Sequence, residues 1–345
     1  MAQYEAVFDA LGMRAWCDAN KEEAPMSMAQ LLAQTQGGGD AAEGGGGLPF
    51  PSLDTLHEAC ARIGQTRDLT AGIEAGFLGI RDELKFALDP LTQPLSWMLD
   101  STLFVFETAP WWAMIPALLV LSWFASRSRA VTAFVAVVLL FFGLIDHYEV
   151  AMQTLAIVFV CTGLSVFFGV PIGIGMSKSN TAQRIIVPIL DLLQTLPTFV
   201  YLIPLIFLFS VTESKLYGIA IILYAIVPVI RLTDLGVRLV DQDVIEAANA
   251  FGMTAWQKLT RVELPLALPN IMAGVNQTIM MSLAMVVIAS LVSAPGLGVL
   301  VLRGIRNLEL GVGIVAGLGI VLLAVILDRV SKAALARVDV QRNVK

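Results

Sequence analysis

Charged side chains are scarce in this 345-residue chain: Asp, Glu, Lys and Arg make up 14% of it, against about 25% in an ordinary soluble domain. Hydrophobic residues make up 57%, and mean hydropathy is +0.77. A soluble globular fold is excluded, and an integral membrane protein is expected. Histidine is scarcer still, with only His57 and His147. No Ser/His/Asp triad and no metal-ligand set can be assembled from two surface histidines. The three cysteines, Cys17, Cys60 and Cys161, show no CxxC or other metal spacing and read as isolated small apolar residues. Cys17 and Cys60 could pair outside the cytoplasm, but their spacing does not demand it. A phosphate-cradling loop is lacking too. The nearest stretch, IGIGMSKS (Ile172–Ser179), has Ile172 and Ser177 where the G-x-x-x-x-G-K-[ST] pattern needs its two glycines. The opening residues lack the charged-then-apolar order of a secretory signal. No enzymatic activity, cofactor, metal or nucleic-acid partner is expected of the chain.

The charge that is present is unevenly placed. Residues 1–100 carry 15 acidic and 6 basic side chains, a net of −9, while residues 101–345 carry 13 and 16, a net of +3. The reading is an acidic head, residues 1–100, ahead of a slightly basic membrane body. The head holds a Gly-rich linker at 37–49. It also holds a stretch at 71–90 that sets Ile73, Phe77, Ile80, Leu84 and Leu88 on one helical face. That stripe suits either a helix lying on the membrane or one packed on protein.

From residue 103 onward the chain offers apolar segments of spanning length. They lie at about 105–125, 130–146, 151–176, 185–210, 214–231, 271–294 and 311–328. The expected fold is all-α and polytopic, with about seven transmembrane helices. Two of them (101–146) precede a core domain at 149–328, and a tail follows at 329–345. Pro188, Pro197 and Pro204 break the fourth segment, and Pro228 sits in the fifth. Trp111 and Trp112 suit a membrane interface. Thirteen Lys and Arg fall in one set of alternate connections and three (Lys215, Arg303, Arg306) in the other. The positive-inside rule then places the C-terminus in the cytoplasm and the N-terminus outside.

The longest internal loop, about 232–268, falls on the cytoplasmic side and contains EAANAFGMTAWQKLTRVELP (Glu246–Pro265). Asp243 followed by Glu246 reads as a capping box with Asp243 as N-cap. Val244, Ala248, Phe251 and Ala255 recur along one face. Gly252 suits a left-handed helix end. Thr254 followed by Gln257 reads as a second capping box, and Pro265 and Pro269 read as the end of the second helix. The product is a helix, a sharp turn and a second helix, offering a ridge on which a partner can dock.

This stretch resembles the EAA loop of binding-protein-dependent ABC importers of the type I class, which reads E-A-A, three residues, G, and a terminal L-P. Glu246, Ala247, Ala248, Gly252, Leu264 and Pro265 occupy those places. The segments DLLQTLPTFVYLIPLIFLF (Asp191–Phe209), IVPVIRLTDLG (Ile226–Gly236), IMAGVNQTIMMSLAMVVIASLV (Ile271–Val292) and VLRGI (Val301–Ile305) are similar to the glycine betaine/proline betaine permeases. The likeness covers about residues 100–332 and fades in the head. It implies a permease in the inner membrane, paired with a second copy of itself. Cytoplasmic ATPase subunits would engage the loop at Glu246, Ala247, Ala248, Phe251, Gly252, Met253, Leu264 and Pro265. An extracytoplasmic binding protein would deliver a small zwitterionic or cationic solute, with the permease coupling ATPase closure to alternating access.

Polar residues inside the spans are costly and tend to face a cavity or a partner. Gln194, Pro197, Tyr201, Asn276 and Gln277 are the expected lining of the solute route, with Gln153 and Asp191 as further polar positions. Interhelical hydrogen bonding is the alternative use for each. SAPGLG (Ser293–Gly298) reads as an outer gate or as an ordinary turn. Choline, carnitine and trimethylamine N-oxide fit the chemistry as well as glycine betaine does. An ion-gradient-driven secondary transporter would share the broken helices but would leave the loop unexplained. A structural or signalling membrane protein would account for the head alone.

Overall fold

The described residues are helical with short breaks. The computed structural model describes residues 8–13 and 66–343, and no strand occurs among them. The Gly-rich linker, Cys17, Cys60 and most of the acidic head lie outside the described residues. The chain divides into two units, Met1–Asp82 and Glu83–Lys345. In the first, residues 8–10 form a helical turn, and residues 66–82 are the start of α1 (Thr66–Thr108). Ile73 and Ile80 of the expected stripe are exposed there. The helix runs unbroken through residue 100, the expected end of the head.

The second unit continues α1 and adds α2 (Trp111–Ser126), α3 (Arg129–Leu144), α4 (Tyr148–Lys178), α5 (Asn180–Thr195) and α6 (Leu202–Leu208). These are followed by α7 (Ser214–Arg238), α8 (Gln242–Ala250), α9 (Ala255–Lys258), α10 (Leu264–Ala289), α11 (Leu297–Arg306) and α12 (Leu310–Asn343). Four helical stretches are long and apolar enough to cross a membrane: Tyr148–Lys178, Ser214–Arg238, Ala255–Val292 and Leu310–Ala334. α1 and α2 make a fifth if the pair, bent by 117°, is one span. The expected seven therefore resolve differently. The first is bent beside Pro110, the second is the 16-residue α3, and the fourth is split into α5 and α6. Pro197 causes that split: the residue before a proline is driven to extended backbone, and Leu196 has ψ 129°. α5, 16 residues long, is amphipathic, and packs Ile186, Val187, Leu190 and Leu193 on Met176, Val227 and Ile230.

α7 is the centre of this unit and packs most extensively on α10 and α4. Small residues make the approach possible. A Cβ on Gly169 of α4 would lie 2.4 Å from a Val229 methyl, and one on Gly173 2.7 Å from the Ile230 carbonyl oxygen. A Cβ on Gly274 of α10 would lie 3.0 Å from the Val229 Cα. In lipid, where apolar surface gains nothing from being hidden, close backbone contact of this kind is what holds helices together. α11 and α12 cross in the same way at Gly304 and Gly313. At one end of α7, the Lys215 ammonium is buried between Asp89 and Glu213, each at 2.7 Å, and Ser214 Oγ donates to Ser96 Oγ at 3.2 Å.

Candidate functional site: a helix pair at the base of the bundle

The loop between α7 and α10 folds as two short helices. The N-cap of α8 is Asp241, whose carboxylate accepts the Asp243 N–H at 2.9 Å. The cap expected at Asp243 thus lies two residues earlier, and Asp243 instead places its charge in the first turn, where the helix dipole favours it. α8 ends at Phe251 in a Schellman turn. Gly252 has φ +72°, its N–H donates to Asn249 O at 2.9 Å, and the Met253 N–H donates to Ala248 O at 3.1 Å. α9 opens with the expected capping box: the Gln257 N–H donates to Thr254 Oγ1 at 3.3 Å, and Gln257 Oε1 accepts the Thr254 N–H at 3.0 Å. Lys258 Nζ donates to Asn249 Oδ1 at 3.0 Å and ties the two helices together.

α9 does not end at Pro265. A π turn, Leu259–Glu263, carries it into α10, so that Ala255–Val292 is one 38-residue helical stretch. The Leu264 N–H donates to Leu259 O, five residues back. The ladder is therefore already offset where the ring of Pro265 enters, and the proline is tolerated.

The eight expected contact residues divide into two groups. Glu246, Ala247, Phe251 and Gly252 are exposed, Phe251 at 85%, and Met253 is half-buried. Ala248 is buried, so it does not share an outward face with Phe251. Leu264 packs on Val237, Ala267 and Ile271 of the bundle, and Pro265 is half-buried. Trp256, which the sequence reading passed over, is 72% exposed on α9. A Trp in a polar, capped helix is the signal that could have found it.

A polar network holds this base to the bundle. Arg238 donates to Asp234 Oδ1 at 2.8 Å, Asn180 Oδ1 at 3.0 Å and the Met176 carbonyl at 2.9 Å. Gln183 donates to Asp234 Oδ2 at 3.0 Å. Lys178 pairs with the buried Glu263, and Arg231 with Asp191.

The five expected lining residues do not share one face. Asn276 donates to Asp328 Oδ1 at 2.9 Å and accepts from Ser331 Oγ at 2.8 Å, so it faces α12. Asn276 and Gln277 line a cleft of about 420 Å3 with Met272, Met280, Ser331 and Lys332. Tyr201 instead donates to Met285 Sδ at 3.8 Å, and at 100° per residue Met285 stands on the opposite side of α10 from Asn276. Gln194 is half-buried and Pro197 exposed on the α5–α6 turn. Gln153 donates to Glu107 at 2.9 Å. The SAPGLG turn docks on α4: the Leu297 N–H donates to Thr154 Oγ1 at 2.9 Å, and a Cβ on Gly296 (φ +117°) would meet that oxygen at 2.4 Å. In the α11–α12 connection, Asn307 and Arg303 each donate to Glu309 at 3.1 Å. The Asn307 hydrogen bond first, and then the Arg303 charge, hold that carboxyl below its ordinary value.

A bundle of apolar helices of spanning length, with a capped helix pair hung from its base, is the architecture of a multi-pass membrane protein. Residues 165–340 match the family described as binding-protein-dependent transport system inner membrane component, and the chain belongs to that family. It is 45% identical over 213 residues to the glycine betaine transport system permease protein OpuAB of Bacillus subtilis, covering 61% of this chain and 74% of that one. It is 48% identical over 192 residues to the glycine betaine/proline betaine transport system permease protein ProW of Escherichia coli, covering 55% of this chain and 54% of that one. The glycine betaine/carnitine transport permease protein GbuB of Listeria monocytogenes is 39% identical over 247 residues, 70% of this chain and 87% of its own. The chain thus spans about half the length of ProW and most of OpuAB and GbuB. Among solved structures, the MetNI methionine ABC transporter in an inward-facing form shares the fold, with a TM-score of 0.50 at 20% identity over 56% of this chain and 95% of that one.

Proposed function

We propose that this chain is the permease subunit of an ATP-driven importer for glycine betaine or a closely related quaternary ammonium solute. The observation that carries the coupling part is the α8–α9 pair. It exposes Glu246, Phe251 and Trp256, and it is continuous, through the π turn, with α10. A motor that grips this pair moves a membrane helix directly. The similarity to betaine permeases supports the solute.

Two copies of the chain form the pathway, two ATPase subunits grip the two helix pairs from the cytoplasm, and a binding protein delivers solute from the other side. The C-terminal tail faces the cytoplasm, and the acidic head faces outward. Glu246, Ala247, Phe251, Gly252 and Met253 meet the ATPase, while Ala248, Leu264 and Pro265 set the angle of the pair. Gln194, Pro197 and Tyr201, and Asn276 and Gln277 in the cleft beside α12, border space through which solute or water passes.

The test is uptake of labelled glycine betaine by cells expressing the chain with its ATPase and binding protein. Choline, carnitine and trimethylamine N-oxide serve as unlabelled competitors, with and without ATP depletion. Uptake that disappears on ATP depletion and is blocked best by betaines is the expected result. Stronger displacement by trimethylamine N-oxide would reassign the solute. Uptake that persists without ATP would refute the importer reading.

A further inference from the structure

Two side chains that serve neither the exposed ridge nor the cleft beside Asn276 stand where the coupling segment joins the bundle. Glu263 closes the π turn and is 2% exposed, and its carboxylate is ion-paired with Lys178 in the last turn of α4. The inner end of α4 is held from a second direction as well. Arg238 reaches from α7 to the Met176 carbonyl and to Asn180 at the start of α5, while Asp234 takes both Arg238 and Gln183. The end of α4 is therefore a junction: α5 and α7 are tied to it on one side, and the coupling segment on the other. The π turn adds to this. Such turns offset the helical ladder and recur at functional sites, and this one lies between the ridge and the membrane part of the same helix.

We propose that Lys178 and Glu263 are positioning residues that make α4 follow the coupling helices. When the ATPase draws α8 and α9, the π turn yields and the ion pair carries the inner end of α4 with it. Arg238 passes the displacement on to α5 and α7. The inference rests on the coupling reading above. Without the pair, the ATPase would still grip the ridge and still hydrolyse ATP, but α4 would no longer move with it.

The experiment uses the whole complex, permease with ATPase and binding protein, reconstituted in proteoliposomes with labelled glycine betaine. The variants are Lys178→Met, Glu263→Gln, the double Lys178→Met/Glu263→Met, and the exchange Lys178→Glu/Glu263→Lys. The reading is betaine transported per ATP hydrolysed, with subunit ratio and melting temperature measured alongside. The double apolar variant is the decisive one, because it removes the buried Glu263 carboxylate together with the Lys178 ammonium that reaches it from the surface, and so leaves no unpaired buried charge. It is expected to assemble and hydrolyse ATP while the transport ratio falls on the order of tenfold, within the range seen for residues that carry coupling. The single variants fall at least as far, and the exchange variant recovers part of the ratio. A double apolar variant that transports at the full ratio would reduce the pair to a structural contact and overturn the proposal. So would single variants whose loss of transport tracks only their loss of assembly. Gly252→Val, run in parallel, separates the two readings. If it uncouples while the double apolar variant does not, the inference about the pair fails alone. If neither uncouples, the coupling role of the loop fails with it.

Discussion

Gly252 offers the cleanest perturbation of the helix pair. Its φ is +72°, and a Cβ built there meets nothing within 4 Å. No clash accompanies a substitution, so the cost is backbone conformation alone. Holding an alanine in the left-handed region costs about 1–2 kcal/mol. At 1.4 kcal/mol per tenfold, that opens the turn roughly 5- to 30-fold more often. Valine, stiff at its branched Cβ, costs more, and asparagine, which tolerates this region, costs less. The turn reports on itself, because the Gly252 and Met253 amides are the donors that close it. Hydrogen exchange followed by mass spectrometry on peptides spanning 248–253 should speed up in the order Asn, Ala, Val, and by that factor for Ala. Uptake per ATP should fall in the same order. Exchange and uptake unchanged in the valine variant would refute the claim that the left-handed turn sets the angle of the pair. An asparagine variant as impaired as valine would refute the claim that φ is the cause.

Other outcomes follow from the same geometry. Gly173→Ala pushes a methyl against the Ile230 carbonyl and should lower the stability of the purified permease by about 1–3 kcal/mol, while Gly175→Ala, with nothing within 4 Å of its Cβ, should leave the melting curve unmoved. Arg238→Met takes the cation from the buried Asp234 carboxylate, leaving it only the Gln183 amide among its side-chain donors, and about 1–3 kcal/mol should be lost. Lysine at 238 should fail to restore it, because one ammonium cannot serve partners that the guanidinium reaches through three different nitrogens. Thr254→Ala removes one half of the capping box and should weaken α9 by about 1 kcal/mol, read as faster exchange of the Gln257 amide with the amides beyond 264 unchanged.

Local chemistry was the legible part of this sequence. Gly252 and the Thr254–Gln257 box follow from residue types a few positions apart, and the structure has both. The N-cap of α8 was displaced by two residues because Asp241 and Asp243 are the same residue type, and only the extended backbone at 241 decides between them. Pro265 was read as a helix end because a π turn has no sequence signature of its own. The polar spans were the hardest to read. The partners of Asn276 are Asp328 and Ser331, more than fifty positions away, and nothing near Asn276 announces them. The glycine contacts were available and unread: Gly169 and Gly173 stand in the four-residue spacing that close-packed membrane helices favour. Trp256 was visible too, as an aromatic in a polar helix.

The unbroken stretch from Ala255 to Val292 has a mechanical consequence. At 1.5 Å per residue its 38 residues extend about 57 Å, nearly twice the roughly 30 Å of a bilayer's hydrocarbon core. Gly274, where a Cβ would lie 3.0 Å from the Val229 Cα of α7, lies within one residue of its midpoint. Taken as a pivot, that contact divides the stretch into arms of equal length. A rotation of about 10° around it swings each tip by about 5 Å in opposite senses, given arms of about 28 Å. A pull on the α9 tip would thus appear at the far tip undiminished and reversed in direction.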